Sequence, residues 1–507
     1  MNSGTKFKAI AAIMFGLALA GCGGGGGDDD DTPSNNPSST PQSGAVSSGG
    51  AEYLTQTYQT GQSQAQQSEA ATQKSTNPAV RELAQQVNNE ITIINQQITN
   101  ISQSSNVTVN NTLTNEQKVE INNLNSLSGA EFDRAYLRNL VTSVKRLLAL
   151  TLQQAREGGD VQIRQNAAAN VLLIQQRLAA AQETLCLLEP PQYLIGAFED
   201  SLLEIELARI ALQKATNDAV KQFAQTMIDE HTQLNTQITA LAAQKGVTLP
   251  TELGPDKQEI ATTISAFSGA DFDKAYMDRN VLQHAEDIAK TTVVAEQSTD
   301  VEIKAFAAQT LPLLQEHFEQ ALTISASLQP SAVYQLGQSL VAELQLAQIA
   351  QTRSTDDQGR NFGQTIIQQN QASFTQLVQV AQQQNAQIPL VIPPGQVQAA
   401  LQLLQTSGLN LQQIQSLINT QLSQSLQIAQ SLQTSTEAGV GNVARVRVQA
   451  LQNLDINAEQ GADNGTDPTG VEGNDAAGGG AAGGTDDNGT SVSIDGGNES
   501  VVITQNE

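Results

Sequence analysis

The chain has only three histidines, His231, His284 and His317. They are the residues of this sequence best suited to chemistry. Imidazole nitrogens bind transition metals and exchange protons near neutral pH. Each histidine falls on the apolar stripe of a different predicted helix. His231 and His284 lie about 14 residues into their helices and His317 about 17, which puts all three within about 5 Å of mid-height. Because bundled helix axes are about 8–10 Å apart, the imidazoles can meet at the bundle axis.

Two acidic residues are candidates for completing a metal site. Glu206, on the helix before that of His231, lies near the same level and is a candidate fourth ligand. Asp287 follows His284 by one helical turn and is a candidate to orient its ring from outside the ligand set. A site of three histidines and one carboxylate suits one ion of Zn, Cu, Ni or Fe.

Two other interpretations of the histidines remain open. Three buried imidazoles and a glutamate can form a hydrogen-bonded polar layer that fixes helix register, and the same set can serve catalysis or hold a cofactor. A di-iron carboxylate centre fits poorly, because it needs Glu-x-x-His on two helices. The residues three before His231 and His317 are Ile228 and Leu314. A non-catalytic role is favoured, and an enzymatic one is left open.

The elements that must position the histidines are four amphipathic helices joined by short turns and by one long connection of about 22 residues. The first helix is predicted from Tyr193 to near Ala215. The second is capped by Asn217 or Asp218 and ends at Gly246. The third begins at a capping box over Ser268–Asp271, and the fourth begins near Asp300. This pattern predicts a four-helix bundle.

The bundle is the middle one of three copies. Lys74-Ser-Thr-Asn-Pro-Ala-Val80 recurs as Lys214-Ala-Thr-Asn-Asp-Ala-Val220, 140 residues later. Ser128-Gly-Ala-Glu-Phe-Asp-Arg-Ala-Tyr136 recurs as Ser268-Gly-Ala-Asp-Phe-Asp-Lys-Ala-Tyr276 at the same offset. A weaker, Gln-rich copy follows at an offset of 139. The sequence therefore predicts an all-α chain of three tandem four-helix bundles, over residues 51–190, 191–330 and 331–460.

The flanking copies have lost the histidines together. At the offset of 140, the positions of His231, His284, His317 and Glu206 hold Ile91, Val144, Arg177 and Gln66. At the offset of 139 they hold Asn370, Ser423, Ile456 and Gln345. This joint loss favours the interpretation that the three histidines and the glutamate act together.

Several stretches of the middle copy match a known pattern: Val220-Lys-Gln-Phe-Ala-Gln-Thr-Met-Ile-Asp-Glu-His231, Lys245-Gly-Val-Thr-Leu-Pro250, Ser268–Tyr276, His284 and Phe306-Ala-Ala-Gln-Thr-Leu-Pro-Leu-Leu-Gln-Glu-His317. Through them residues 193–328 resemble the DUF4142 family of bacterial envelope proteins, which are grouped with ferritin-like folds. The resemblance is lower in the first copy and faint in the third. The family usually has Asp-His where this chain has Glu230-His231. The resemblance implies a ferritin-like bundle and an envelope location, and no established activity.

The two ends of the chain predict export and anchoring. Basic Lys6 and Lys8, an apolar stretch over 9–20 and then Leu19-Ala-Gly-Cys22 resemble a lipoprotein signal, with residues 1–21 removed and Cys22 lipidated. Gly23 after the cysteine favours the outer membrane. Residues 22–50 are predicted to be a flexible tether and residues 461–507 an acidic, disordered tail.

Composition excludes other function classes. A net charge of −26 argues against nucleic-acid binding, and 39% apolar with 3% aromatic residues suits helical packing. Cys186, the only cysteine left after lipidation, is interpreted as a small buried apolar residue. The glutamines of the third copy are interpreted as a soluble surface.

We predict an envelope lipoprotein whose middle bundle binds a transition metal through His231, His284, His317 and Glu206. Its predicted partner is the membrane, to which the N-terminal lipid anchors it. The alternative is a structural or interaction lipoprotein without a metal; the sequence identifies no protein partner.

Overall fold

A computed structural model describes residues 48–396 and 410–463 of the chain. The predicted signal peptide, Cys22, nearly all of the tether and most of the acidic tail lie outside the described residues. Within the described ranges the regular elements are helices and there is no strand, which confirms the predicted all-α class. None of these helices is both long and apolar enough to cross a membrane.

The helices follow the three predicted copies. The first copy comprises α1 (Ser48–Lys74), α2 (Pro78–Ser104), α3 (Asn115–Ser126), α4 (Gly129–Glu157) and α5 (Val161–Leu188). The middle copy comprises α6 (Pro191–Lys214), α7 (Asp218–Lys245), α8 (Pro255–Ala266), α9 (Gly269–Gln297) and α10 (Val301–Ser327). The third copy comprises α11 (Ala332–Arg353), α12 (Asp357–Gln384), a 3-10 turn at Pro394–Gln396, α13 (Leu411–Leu432) and α14 (Val440–Asp463). In each of the first two copies, the long connection between the second and third long helices carries a short helix.

The described residues up to Asn457 belong to one compact unit, which has a continuous apolar core. The second unit, 458–507, is described only over 458–463, the last residues of α14. In the first unit α11 is buried along most of its length and packs against α5 as well as α12. The three copies therefore share most of their apolar interior, and a second, smaller apolar cluster lies mainly within the middle copy.

Local signals set the ends of the middle-copy helices where the sequence predicts them. The Asn217 side chain caps α7 by accepting hydrogen bonds from the backbone N–H groups of Ala219 and Val220. Gly246 ends α7 with φ of 67°, a left-handed conformation that favours glycine. Asp300 caps α10 in the same way as Asn217 caps α7. Each side-chain cap is worth about 1 kcal/mol.

The predicted capping box at the start of α9 is wrong. Ser268 precedes the helix but its side chain makes no capping hydrogen bond. Asp271 instead accepts hydrogen bonds from the backbone N–H and the hydroxyl of Ser331, at 2.6 and 2.7 Å, just before α11. The carboxylate reaches a partner on the next copy that the local sequence pattern does not contain.

The glutamines of the third copy are not only a soluble surface. Gln345 and Gln348 on α11 are fully buried. The Gln345 amide donates to the carbonyl oxygen of Leu390 at 3.1 Å, and that of Gln348 donates to Asn170 Oδ1 on α5 at 3.0 Å. These amides are buried because α11 lies between helices of two copies, where the NH₂ group of each finds an acceptor inside the core.

Candidate metal centre

The structure brings the three histidines together in the interior of the middle copy. His231 on α7, His284 on α9 and His317 on α10 are each at most 1% exposed. One ring nitrogen of each lies within 4.8 Å of one ring nitrogen of the other two. The ring centroids are 5.2 to 5.9 Å apart. Three different helices thus direct their imidazoles to one point.

Two of the rings are held by hydrogen bonds to acceptors. His284 Nδ1 lies 2.9 Å from the carbonyl oxygen of Asn280, one turn earlier on α9. His317 Nε2 lies 2.5 Å from Oε2 of Glu230 on α7. Since a carbonyl and a carboxylate oxygen only accept, these two nitrogens carry the protons, and we assign the tautomers on that basis.

The third ring is held by Ser201 and Glu204 on α6. His231 Nδ1 lies 3.2 Å from Ser201 Oγ and 3.1 Å from Glu204 Oε2. The Ser201 hydroxyl donates its own proton to the backbone carbonyl of His231, so it accepts from the ring. Nδ1 of His231 is therefore the protonated nitrogen.

The remaining nitrogen of each ring is buried and has no hydrogen-bond partner among the residues that the structure describes. These atoms are His231 Nε2, His284 Nε2 and His317 Nδ1. In a neutral imidazole whose opposite nitrogen holds the proton, the remaining nitrogen carries an unshared electron pair. The three buried imidazoles could therefore hold a metal ion.

Burial keeps two of these imidazoles neutral. Desolvation and, to a smaller extent, the adjacent His317 lower the pKa of His284 to about 3. Desolvation also holds the pKa of His231 well below its usual range, with His284 and His317 adding to the effect. Neutral rings offer nitrogen lone pairs across the physiological pH range.

The carboxylate at this centre is Glu204, and the prediction of Glu206 is wrong. Glu204 Oε1 lies 3.4 Å from His284 Nε2 without hydrogen-bond geometry, and has no other partner. Glu206 is 46% exposed and lies 3.8 Å from Arg209. Two residues along a helix turn the side chain by about 200°, so neighbours two apart face opposite ways. Burial raises the pKa of the Glu204 carboxyl well above its usual range, with Asp287 and Asp200 adding to it.

Asp287 does not orient His284, contrary to prediction. It accepts hydrogen bonds from the Gln283 amide and from Lys290 Nζ, both at 2.9 Å. The ring of His284 is held instead by the carbonyl of Asn280. Asp287 lies one turn away on the same helix, but its carboxylate shares Lys290 with Asp200 of α6.

A buried ion network borders the histidines. Asp200 on α6 accepts from Lys290 at 2.5 Å and from Lys257 on α8. Burial alone would raise the pKa of Asp200, but the two lysines lower it well below its usual range. A cavity of about 20 Å³ lies beside this network, and its lining includes Ser201, Glu204 and His231. That volume is about the space for one water.

Cys186 belongs to neither the histidine centre nor the ion network. It is buried on α5 within an apolar cluster that includes Tyr193 and Val294. Burial raises the pKa of its thiol to about 12, so the thiolate needed for chemistry is not formed near neutral pH. This fits the interpretation of Cys186 as an apolar core residue.

The sequence matches the family described as "Domain of unknown function (DUF4142)" over residues 35–184, 189–324 and 327–444. The chain belongs to the DUF4142 family. No curated protein and no solved structure matches it. The three matched segments agree with the three copies found by internal comparison, and the histidine centre lies entirely within the second DUF4142 segment.

The sequence analysis does not assign four residues that contact the histidines of this DUF4142 centre: Ser201, Glu204, Glu230 and Asn280. Glu230 was visible as a departure from the usual Asp-His pair of the family. Asn280 stood one turn before His284 in the same stripe. Glu204 and Ser201 had no distinguishing signal, because a helix of this apolar content can be rotated either way by its neighbours.

Proposed function

We propose that the middle bundle binds one transition-metal ion through His231, His284, His317 and Glu204, and that it holds the ion without catalysing a reaction. The observation that carries this proposal is the set of three buried imidazole nitrogens with lone pairs and no hydrogen-bond donor. Leaving a buried polar atom unpaired costs about 1–3 kcal/mol. A metal ion would satisfy all three atoms at once.

The same observation counts against the polar-layer alternative. A layer that fixes register through hydrogen bonds pairs its members, because an unpaired member destabilises the fold. Here the imidazoles make their hydrogen bonds outward, to Asn280, Glu230 and Ser201, and not to one another. The arrangement orients the rings from outside and leaves their centre open to a ligand.

The spacing of the donors is compatible with one ion after a small contraction. Metal–nitrogen bonds of about 2.0–2.1 Å place tetrahedral nitrogens about 3.3 Å apart. The ligand atoms now lie within 4.8 Å of one another. Glu230 and Asn280 would act as the outer partners that fix each ring and strengthen its nitrogen as a ligand.

A closed site favours storage or structural binding over catalysis. Catalytic metal sites keep a position open to water or substrate. The histidines are buried, and the adjoining cavity of about 20 Å³ has no room for a substrate. Three nitrogens and one oxygen suit Zn, Cu, Ni or Fe, in line with the expected ligand chemistry.

We propose that this bundle operates in the bacterial envelope. The supporting features are the apolar stretch over 9–20 and the Leu19-Ala-Gly-Cys22 sequence, which are typical of a lipoprotein signal. Lipid on Cys22 would tether the bundles through residues 22–50, and Gly23 favours the outer membrane. The membrane is then the partner, and the charge of −26 argues against nucleic acid.

Elemental mass spectrometry on the full chain, purified without chelator, tests the metal proposal. Because the chain has only three histidines, the H231A/H284A/H317A variant removes every imidazole. Asn370→Ala is the matched control, since Asn370 is the buried third-copy counterpart of His231. We expect about one equivalent of a single metal in the wild type and in the control, and none in the triple variant. No metal in the folded wild type after reconstitution with Zn, Cu, Ni and Fe would overturn the proposal and favour a structural lipoprotein.

A further inference from the structure

The first copy holds an arginine where the middle copy holds His317. Arg177 on α5 is 1% exposed. Its Nε lies 3.1 Å from Oε2 of Glu90 on α2, and its Nη1 donates to Oε1 of Gln64 on α1 at 2.9 Å. At the offset of 140, Gln64 and Glu90 are the counterparts of Glu204 and Glu230. One guanidinium thus contacts the equivalents of both carboxylates of the histidine centre.

The third copy repeats the arrangement with a different arginine. Arg447 on α14 is 2% exposed and pairs with Glu343 on α11 and Asn370 on α12. At the offset of 139, Glu343 and Asn370 are the counterparts of Glu204 and His231. Arg447 is not at the offset position of His317, yet it comes from the corresponding helix and reaches the corresponding partners.

The flanking copies also lack the other imidazoles. In the first copy Ile91 and Val144 are apolar and buried where the middle copy has His231 and His284. In the third copy Ser423 is exposed where the middle copy has His284. Neither flanking centre therefore has a nitrogen ligand set, and each has a guanidinium instead.

Glu204 is the buried carboxylate that no arginine or lysine of the described residues contacts directly. Arg279 and Lys257 lower its pKa without forming an ion pair with it. Glu90 and Glu343 are each at most 1% exposed and are both paired with arginine. Glu204 is 3% exposed, and in the described ranges only His231 and His284 form ion-pair contacts with it. A buried carboxylate is strongly destabilised when no cation or hydrogen-bond network compensates it.

We propose that every copy requires a positive charge at its centre, supplied by Arg177 in the first copy, Arg447 in the third and a metal ion in the middle. This inference rests on the proposed metal site and adds that the ion is a structural cation. A redox-inert divalent ion is therefore sufficient to stabilise the middle copy. The flanking copies take no metal. The middle copy is the one whose packing depends on an exchangeable cation.

Transplanting the first-copy centre into the middle copy tests this. The E204Q/H231I/H284V/H317R variant reproduces the side chains of Gln64, Ile91, Val144 and Arg177, a set that already packs in the first copy. H317R alone is the second variant, in case the larger change does not fold. H317Q is the matched control without charge. Hydrogen exchange read by mass spectrometry on the full chain reports α6, α7, α9 and α10 separately from the flanking copies.

We expect zinc to slow exchange in the wild-type middle helices about 100-fold when free zinc is about 100 times its Kd, and chelator to reverse this. The transplant or H317R should show slow exchange without zinc and no response to chelator. H317Q should exchange fast in both conditions. Peptides of the flanking helices should be unchanged by zinc in all variants.

The outcomes separate the two proposals. If zinc protects the wild type but the folded arginine variants exchange as fast as metal-free wild type, the charge requirement is overturned and the metal site stands. If zinc leaves the wild type unchanged while the arginine variants are protected, the metal site is overturned and the charge requirement stands. Zinc protection of flanking helices would overturn the division of roles between the copies.

Discussion

Glu230 on α7 and His317 on α10 are joined by a 2.5 Å hydrogen bond between a carboxylate oxygen and Nε2. The bond crosses between two helices and fixes which nitrogen of His317 is protonated. It leaves Nδ1 without a partner inside the centre. Glu230, which is not itself a proposed ligand, therefore determines whether His317 can be one.

Replacing Glu230 should weaken metal binding without removing a ligand. We expect Glu230→Ala to reduce metal affinity about 10- to 100-fold, because the ring of His317 is no longer held. Glu230→Asp, the usual family residue, should retain much of the affinity. The measurement is competition with a chromophoric chelator. Glu316→Ala, at an exposed acid beside His317, is the control, and an equal loss there would contradict the assignment.

Glu204 and Glu206 provide a matched pair for the carboxylate ligand. Glu204→Gln should lower metal affinity at least about tenfold, because an amide oxygen is a weaker ligand than a carboxylate. Glu206→Gln should leave affinity unchanged, since its side chain is 46% exposed and faces away from the histidines. Isothermal titration of both variants checks this. A larger loss from Glu206 would place the site on the other face of α6.

Asp200 is predicted to be a strong stability determinant beside the centre. Asp200→Asn leaves the two buried lysines Lys257 and Lys290 without full compensation, which should cost about 3–5 kcal/mol. Urea unfolding followed by circular dichroism gives this value. Asp229→Asn, at a surface acid on α7, is the control with an expected change below about 0.5 kcal/mol. Similar midpoints for the two variants would refute the role of the ion network.

Glu183 should make the stability of the chain fall as the pH rises. Burial raises the pKa of this α5 carboxyl from 4.5 to about 7. Between these two pH values the folded state holds a proton that the unfolded state has lost. The free energy of unfolding therefore begins to fall above pH 4.5, and the loss is complete above about pH 7. Glu183→Gln should therefore stabilise the chain by about 1 kcal/mol at pH 8, after discounting for its solvent contact, and little at pH 4. Urea midpoints at both pH values measure this. The exposed Glu82→Gln is the control, and a gain that is equal at both pH values would contradict the assignment.

The sequence alone determined the helices of the middle copy, most of the signals at their ends and the level of the histidines. Periodicity and capping are local: Asn217, Gly246 and Asp300 act within a few residues of their own positions, and the structure places them as predicted. The repeat offsets located the three copies and showed the histidines to be confined to one of them. Counting residues along each helix then put the imidazoles at one height, because the rise per residue is constant.

Only the tertiary structure decided which side chains face the histidines. The rotation of α6 about its axis selects Glu204 over Glu206, and no local pattern in an evenly apolar helix sets that rotation. Glu230 contacts His317 across 87 residues of chain, and Glu90 contacts Arg177 across another 87. Such partners are chosen by how helices pack against one another. The sequence therefore predicted the imidazoles, whereas the orientation of each ring and the charge at each centre came from contacts between helices.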